Sequence, residues 1–208
     1  MFGPFKKQRP AGPHPHRREL GGLLSCIVAW RRAVLEAQAR DPELDAAMLA
    51  GPLEKLRAYA QAAGETDPFT LRVLGSSIGE LEEPLFLEAL YRIETAAGIA
   101  WALGLLDVLP PIEARADFEA LGALYPLTAP PPERLVNATL RDSAVIAEQL
   151  SVWSSRLDAA RKRHEQSPDD ESAPLQFSRA FERTRGLAWV SGDTQYVEDT
   201  VMPRAVHE

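Results

Sequence analysis

The stretch Pro84 to Leu109, PLFLEALYRIETAAGIAWALGLLDVL, is the longest apolar segment of this 208-residue chain. From Ala96 to Leu106 it holds no charged residue. Its first half carries Glu88, Arg92 and Thr95 at i, i+4 and i+7, one stripe of a helix. Leu85, Leu87, Leu90, Tyr91 and Ile93 cover the rest of the circumference, so this half reads as amphipathic. The second half has no polar stripe, only Ala, Ile, Trp and Leu interrupted by Gly98 and Gly104. A helix apolar all round is buried on every side or lies in lipid. The uncharged run is too short for a bilayer, which needs about 20 apolar residues. The segment is therefore expected to be a buried central helix. Pro84 suits the first turn, with Glu82 and Glu83 near the positive end of the dipole. The pair Pro110-Pro111 is expected to end it.

The rest of the composition agrees with helix. Ala, Leu, Glu and Arg dominate, β-branched runs are nearly absent, and aromatics make up 7%. The expected fold class is all-α, an irregular multi-helix bundle around that central helix. One cysteine, Cys26, leaves no internal disulfide and no cysteine-based metal cluster, and suits a reducing compartment. The net charge is −7, yet the first eighteen residues hold five basic side chains and no acid, so the remainder carries −12. An acidic body argues against nucleic acid as a partner. Arg17-Arg18, the apolar stretch Leu20 to Trp30 and Ala37-Gln38-Ala39 superficially resemble an export signal. Arg31, Arg32 and Glu36 interrupt it before the cleavage-like site, so a cytoplasmic helix is the expectation.

In chain order, residues 1–16 read as a flexible basic arm, 17–200 as one all-helical domain and 201–208 as a tail. Arg17 to Arg40 reads as the first helix. Asp41-Pro42 reads as a cap opening a short helix to Ala50, broken by Gly51-Pro52, with a further helix from Leu53 to Ala63. Asp67-Pro68 repeats the cap-proline device before Phe69 to Leu74. Beyond the central segment come a helix over Ala116 to Tyr125, a stiff Pro130-Pro131-Pro132 connection and a turn or two over Glu133 to Ala138. A long amphipathic helix over Asp142 to Gln166 and a final helix over Pro174 to Val190 complete the pattern. No strand with clean alternation and no fixed repeat occurs.

Two stretches carry a family resemblance. Tyr91-Arg92-Ile93-Glu94, followed by Ala100-Trp101-Ala102-Leu103-Gly104-Leu105-Leu106-Asp107 and Leu109-Pro110, resembles the first signature of the family called domain of unknown function 4272. Phe181-Glu182-Arg183-Thr184-Arg185-Gly186-Leu187-Ala188-Trp189, with Asp193 and Glu198-Asp199-Thr200, resembles its second. The likeness runs from about Leu53 to Thr200 and departs at Ala188, where the family usually has Asn. It implies a helical, bacterial-type domain and no established activity.

Few residues offer chemistry. His14, His16, His164 and His207 lie in the arm, at a helix end and in the tail. A Ser-His-Asp arrangement or a two-histidine zinc site inside the domain is therefore not expected. No GxGxxG, Walker or Gly-x-Ser-x-Gly motif occurs. Cys26 sits in an apolar helix and reads as a packed core thiol. No cofactor and no metal are expected. The polar residues that stand out are Arg92, Glu94, Glu182, Arg183 and Arg185, with Asp193 and Asp199 as a rim. Their structural reading is an inter-helix ion pair, Glu94 to Arg183 or Arg185. Their functional reading is a small carboxylate/arginine pocket.

The expected function is a non-catalytic protein-interaction module without nucleic-acid or membrane partners. The partner is an unknown protein, a second copy of the chain being one candidate. One version is an immunity or antitoxin-like protein whose acidic surface masks a basic toxin. The alternative is a small hydrolase-like or ligand-binding enzyme with Glu94, Glu182 and Arg183 around a pocket.

Overall fold

The computed structural model describes residues 14–63, 66–127, 131–167, 169–192 and 197–200. Its helices are α1 (Arg17–Ala39), α2 (Ala50–Ala63), α3 (Pro68–Gly75), α4 (Glu83–Ala102), α5 (Phe118–Gly122), α6 (Glu133–Val136), α7 (Ser143–Gln166) and α8 (Ser172–Ser191). A 3-10 turn, Ala46–Leu49, precedes α2, and a second, Val197–Asp199, follows α8. No strand occurs among the described residues, and the fold is all-α.

Helix α4 lies at the centre, flanked by α1 and α8. Helix α7 packs on α8, while α2 and α3 lean on α1. The layers therefore run α7, α8, α4, α1, with α2 and α3 outermost. Every residue from Ala96 to Leu103 is buried, as the loss of a polar stripe requires. Of the polar stripe in the first half, Glu88 stays partly exposed while Arg92 and Thr95 are buried. Arg92 is 1% and Thr95 0% exposed, because this face meets neighbouring helices rather than water.

Two glycines set how closely α4 and α8 approach. A Cβ on Gly98 would stand 2.8 Å from the carbonyl oxygen of Arg183, and one on Gly186 would collide with the carbonyl of Thr95. Only backbone meets backbone at this crossing. That closeness brings Glu94 and Thr95 of α4 against Glu182 and Arg183 of α8, about one turn away on each helix.

Several local expectations are corrected. Pro110-Pro111 does not end the central helix; Gly104 does, at φ +68°. Its N–H bonds the Trp101 carbonyl at 3.0 Å and the Leu105 N–H bonds that of Ala100 at 2.8 Å. This is a Schellman ending, which favours glycine at the left-handed position. Gly51-Pro52 breaks nothing. Both stand in the first turn of α2, where proline lacks no needed hydrogen bond. The short helix expected between Asp41-Pro42 and Ala50 is only the 3-10 turn Ala46–Leu49, and it is capped by Asp45, whose carboxylate accepts from the Ala47 N–H at 2.9 Å, and not by Asp41. The helix expected over Ala116 to Tyr125 is only α5, capped by Asp117.

Residues 1–13, most of the expected arm, and the tail 201–208 lie outside the described residues. His14 and His16 touch the body. His14 Nε2 donates to the Val136 carbonyl at 3.0 Å, and the Leu140 N–H donates to His16 Nε2 at 3.4 Å.

Candidate functional site

The interface of α4 and α8 holds two polar groups of side chains. In the first, the Arg183 side chain is 0% and that of Glu94 4% exposed. Arg183 Nε and Nη2 donate to Glu94 Oε2 at 2.8 and 2.6 Å. Its Nη1 donates to the carbonyls of Pro110 and Pro111 at 2.7 and 3.1 Å, and Nη2 also reaches that of Ala114 at 2.7 Å. Glu94 Oε1 accepts from the Ala116 N–H at 3.1 Å. The guanidinium also faces the Trp153 ring at 5.1 Å. Burial pulls the Arg183 pKa below its ordinary value, and Glu94 opposes that pull. The pair thus fastens the loop after α4 onto the core, the partner set a buried ion pair requires.

The second group is Glu182, Thr95, Arg185, Glu88 and Arg92. Thr95 Oγ1 donates to Glu182 Oε2 at 2.5 Å. Arg185 Nη1 lies 3.4 Å from both Glu182 and Glu88. Arg92 Nη2 donates to Glu88 at 2.8 Å, and its guanidinium stacks over Phe69 at 4.3 Å. Its Nε and Nη1 have no hydrogen-bond partner. Burial opposes the charge on Arg92, but Cys26, Glu182, Glu88 and Asp67 outweigh it and hold the group above its ordinary pKa.

Asp199 is exposed on the second 3-10 turn, and Asp193 lies outside the described residues. The neighbouring Glu198 has its carboxyl pKa raised by burial and by Asp67. Cys26 is 1% exposed. Burial pushes its thiol up to about 12, the behaviour of a core residue rather than a nucleophile. No group of three or more potential metal ligands occurs among the described residues.

A second buried pair was not singled out from the sequence. Arg32 and Glu36 on α1 are 2.9 Å apart, with side chains 0% and 1% exposed. Arg32 bonds the Ser77 carbonyl, and Glu36 accepts from Gly79 and Leu81 N–H groups. The sequence signal for it is an i, i+4 pair inside an otherwise apolar helix face. Arginine-to-carbonyl clamps recur elsewhere: Arg179 holds Glu113 at 2.7 Å, and Arg141 holds Trp101 and Leu106 at 2.8 Å each. Sequence spacing does not mark these, because the acceptors are backbone groups.

Beside Glu94 lies a cavity of about 110 Å³, lined among others by Trp30, Tyr91, Arg115, Phe118, Leu175 and Arg179. At the surface, the end where α1 meets the start of α4 is acidic. Asp41, Glu43, Asp45, Glu80, Glu82 and Glu83 are all exposed there. Arg40 ties the two segments together, 2.5 Å from Glu83. Leu44, Met48 and Leu87 are exposed near them, Met48 at 74%.

A family model described as "Domain of unknown function (DUF4272)" matches residues 77–200. The chain belongs to the DUF4272 family. The match begins later than the resemblance from Leu53 implied, just before α4, and ends after the second 3-10 turn. Both stretches that carry the resemblance fall inside it, and α4 and α8 of this DUF4272 chain place them face to face. Helix α1, which covers the other side of α4, lies outside the match. No curated protein and no solved structure matches the chain. No helix among the described residues is long and apolar enough to cross a membrane.

Proposed function

We propose that this DUF4272 chain is a non-catalytic protein-interaction module that engages a positively charged partner protein through its acidic end. The observation that carries the reading is the clustering there of six exposed carboxylates with Leu44, Met48 and Leu87. Carboxylates of one sign steer a basic partner toward the patch and reject acidic ones. The exposed apolar side chains add burial once contact is made. An immunity or antitoxin-like role, masking a basic protein, is the version that fits this charge pattern.

Two further features support a non-catalytic reading. The oxygens of Glu94 are engaged by Arg183 and the Ala116 backbone, so the strongest buried carboxylate candidate holds structure. The Cys26 thiol is held protonated by its burial.

The test is carboxylate-directed cross-linking in native lysate with mass-spectrometric mapping. It compares the parent with the triple variant Glu43→Lys, Glu80→Lys, Glu82→Lys. The expected result is a basic protein linked to residues 41–48 and 80–87. That link disappears in the variant and at about 1 M salt, where screening lengths fall to roughly 3 Å. Links unchanged by charge reversal, links to another face, or links joining two copies of the chain would each overturn the basic-partner reading.

A further inference from the structure

The geometry points to the cavity between α1, α4, α5 and α8 as a binding site for a small free carboxylic acid with an apolar body. This goes beyond the interaction reading and does not depend on it. The walls are apolar: Trp30, Leu90, Ile93, Phe118 and Leu175. The charges are not balanced. Glu94 is already neutralised by Arg183 at 2.6 Å. That leaves Arg179, 8% exposed, and Arg115 at the mouth. Arg179 Nη1 is held by the carbonyls of Ile112 and Glu113 at 3.3 and 2.7 Å. Carbonyls supply no counter-charge. Among the described residues neither Arg179 nor Arg115 forms an ion pair, so a nearly buried cation faces the cavity unneutralised. A guanidinium so placed attracts an anion into the cavity.

Carboxylate is the anion that guanidinium groups recognise by paired, charge-assisted hydrogen bonds. The apolar walls reject a bare inorganic ion and favour a hydrocarbon body behind the charge. Size limits that body. The cavity of about 110 Å³ is smaller than the roughly 150 Å³ cavity that accepts benzene. A free acid of about four carbons fits this space, whereas a peptide segment does not.

The experiment titrates the isotope-labelled full chain with sodium butyrate while backbone amide signals are followed by NMR. Butylamine and butanol serve as matched probes at constant ionic strength. Butyrate is expected to shift the amides of Tyr91, Arg115 and Ala116 saturably. Neither butylamine nor butanol should do so. Arg115→Glu should weaken butyrate binding by at least about tenfold, the scale of one lost charged contact. Leu175→Trp, which fills the mouth from a half-exposed position, should abolish it. Both changes sit at the surface and should leave the melting temperature close to the parent's, so lost binding is not lost folding. Equal binding of butanol or butylamine would overturn the charge argument. Absence of saturable butyrate shifts, or shifts untouched by both variants, would overturn the site.

Discussion

Removing Glu94 should destabilise the protein far more than removing any surface carboxylate, and the cost follows from what Arg183 is left with. In the parent, Arg183 directs two of its bonds to Glu94 and the rest to three backbone carbonyls. Glu94→Ala removes the counter-charge and leaves a guanidinium with a fully buried side chain. Breaking a buried pair in this way typically costs about 3–5 kcal/mol, against about 0–1 kcal/mol for an exposed pair. Arg183→Met should cost at least as much. It strands the Glu94 carboxylate and also takes the guanidinium donors away from the carbonyls of Pro110, Pro111 and Ala114, of which Pro111 keeps the Ala114 N–H. Against a typical stability of roughly 5–15 kcal/mol, either loss is large. The assay is urea unfolding followed by far-ultraviolet circular dichroism and tryptophan fluorescence, with both single variants and the double variant. The double variant should lose clearly less than the sum of the singles, by about 1–3 kcal/mol, because the ion pair is lost only once. It should still fall short of the parent, since the loop after α4 loses its bonds to the guanidinium. Additive losses, or Glu94→Ala unfolding like the parent, would refute the reasoning.

Further outcomes are expected elsewhere. Gly186→Ala should be strongly destabilising in thermal melts, by at least the roughly 1–3 kcal/mol of overpacking, because its Cβ would meet the Thr95 carbonyl. Trp101→Ala should lose about 3–5 kcal/mol, since the indole is 7% exposed and packed under Arg141 at 4.8 Å. Stability should fall as pH rises above 9.0, the unfolded thiol value for Cys26, toward its folded value of about 12. The unfolded chain releases that proton first, so Cys26 contributes a slope of about 1.4 kcal/mol per pH unit in this window, to which Tyr59 and Tyr125, raised by burial above 10.0, add at its upper end. Cys26→Ala should flatten that slope in urea melts taken at successive pH values; an unchanged slope would contradict the burial of the thiol.

The long helices were legible because periodicity and caps agree. Ser143–Gln166 and the start of Pro68–Gly75 follow from Asp142 and Asp67, and the all-apolar half of Glu83–Ala102 is buried as its composition demands. The errors came where one local rule competed with another. Gly104 outranked Pro110-Pro111, because a left-handed glycine ends a helix several residues before a proline must. Gly51-Pro52 was misjudged because proline breaks a helix interior but suits its first turn. In the polar core, the spacing of Arg92 and Glu94 showed that they face different ways, and they do: Arg92 to Glu88 and Phe69, Glu94 to Arg183. What no spacing shows is which arginines end on backbone carbonyls. Nothing in the spacing around Arg179 or Arg141 marks them, and the cavity beside Glu94 draws its walls from α1, α4, α5 and α8, an arrangement only the tertiary fold creates.

The crossing of α4 and α8, sealed by Gly98, Gly186 and the Glu94–Arg183 pair, should be the most stable part of the molecule. Native-state amide hydrogen exchange measures this directly. Amides from Ala97 to Ala102 and from Arg183 to Leu187 should exchange only with the free energy of global unfolding. Those of α2 and of the outer α7 should exchange through cheaper local openings. Exchange from the middle of α4 or α8 at a free energy well below the global value would contradict the claim.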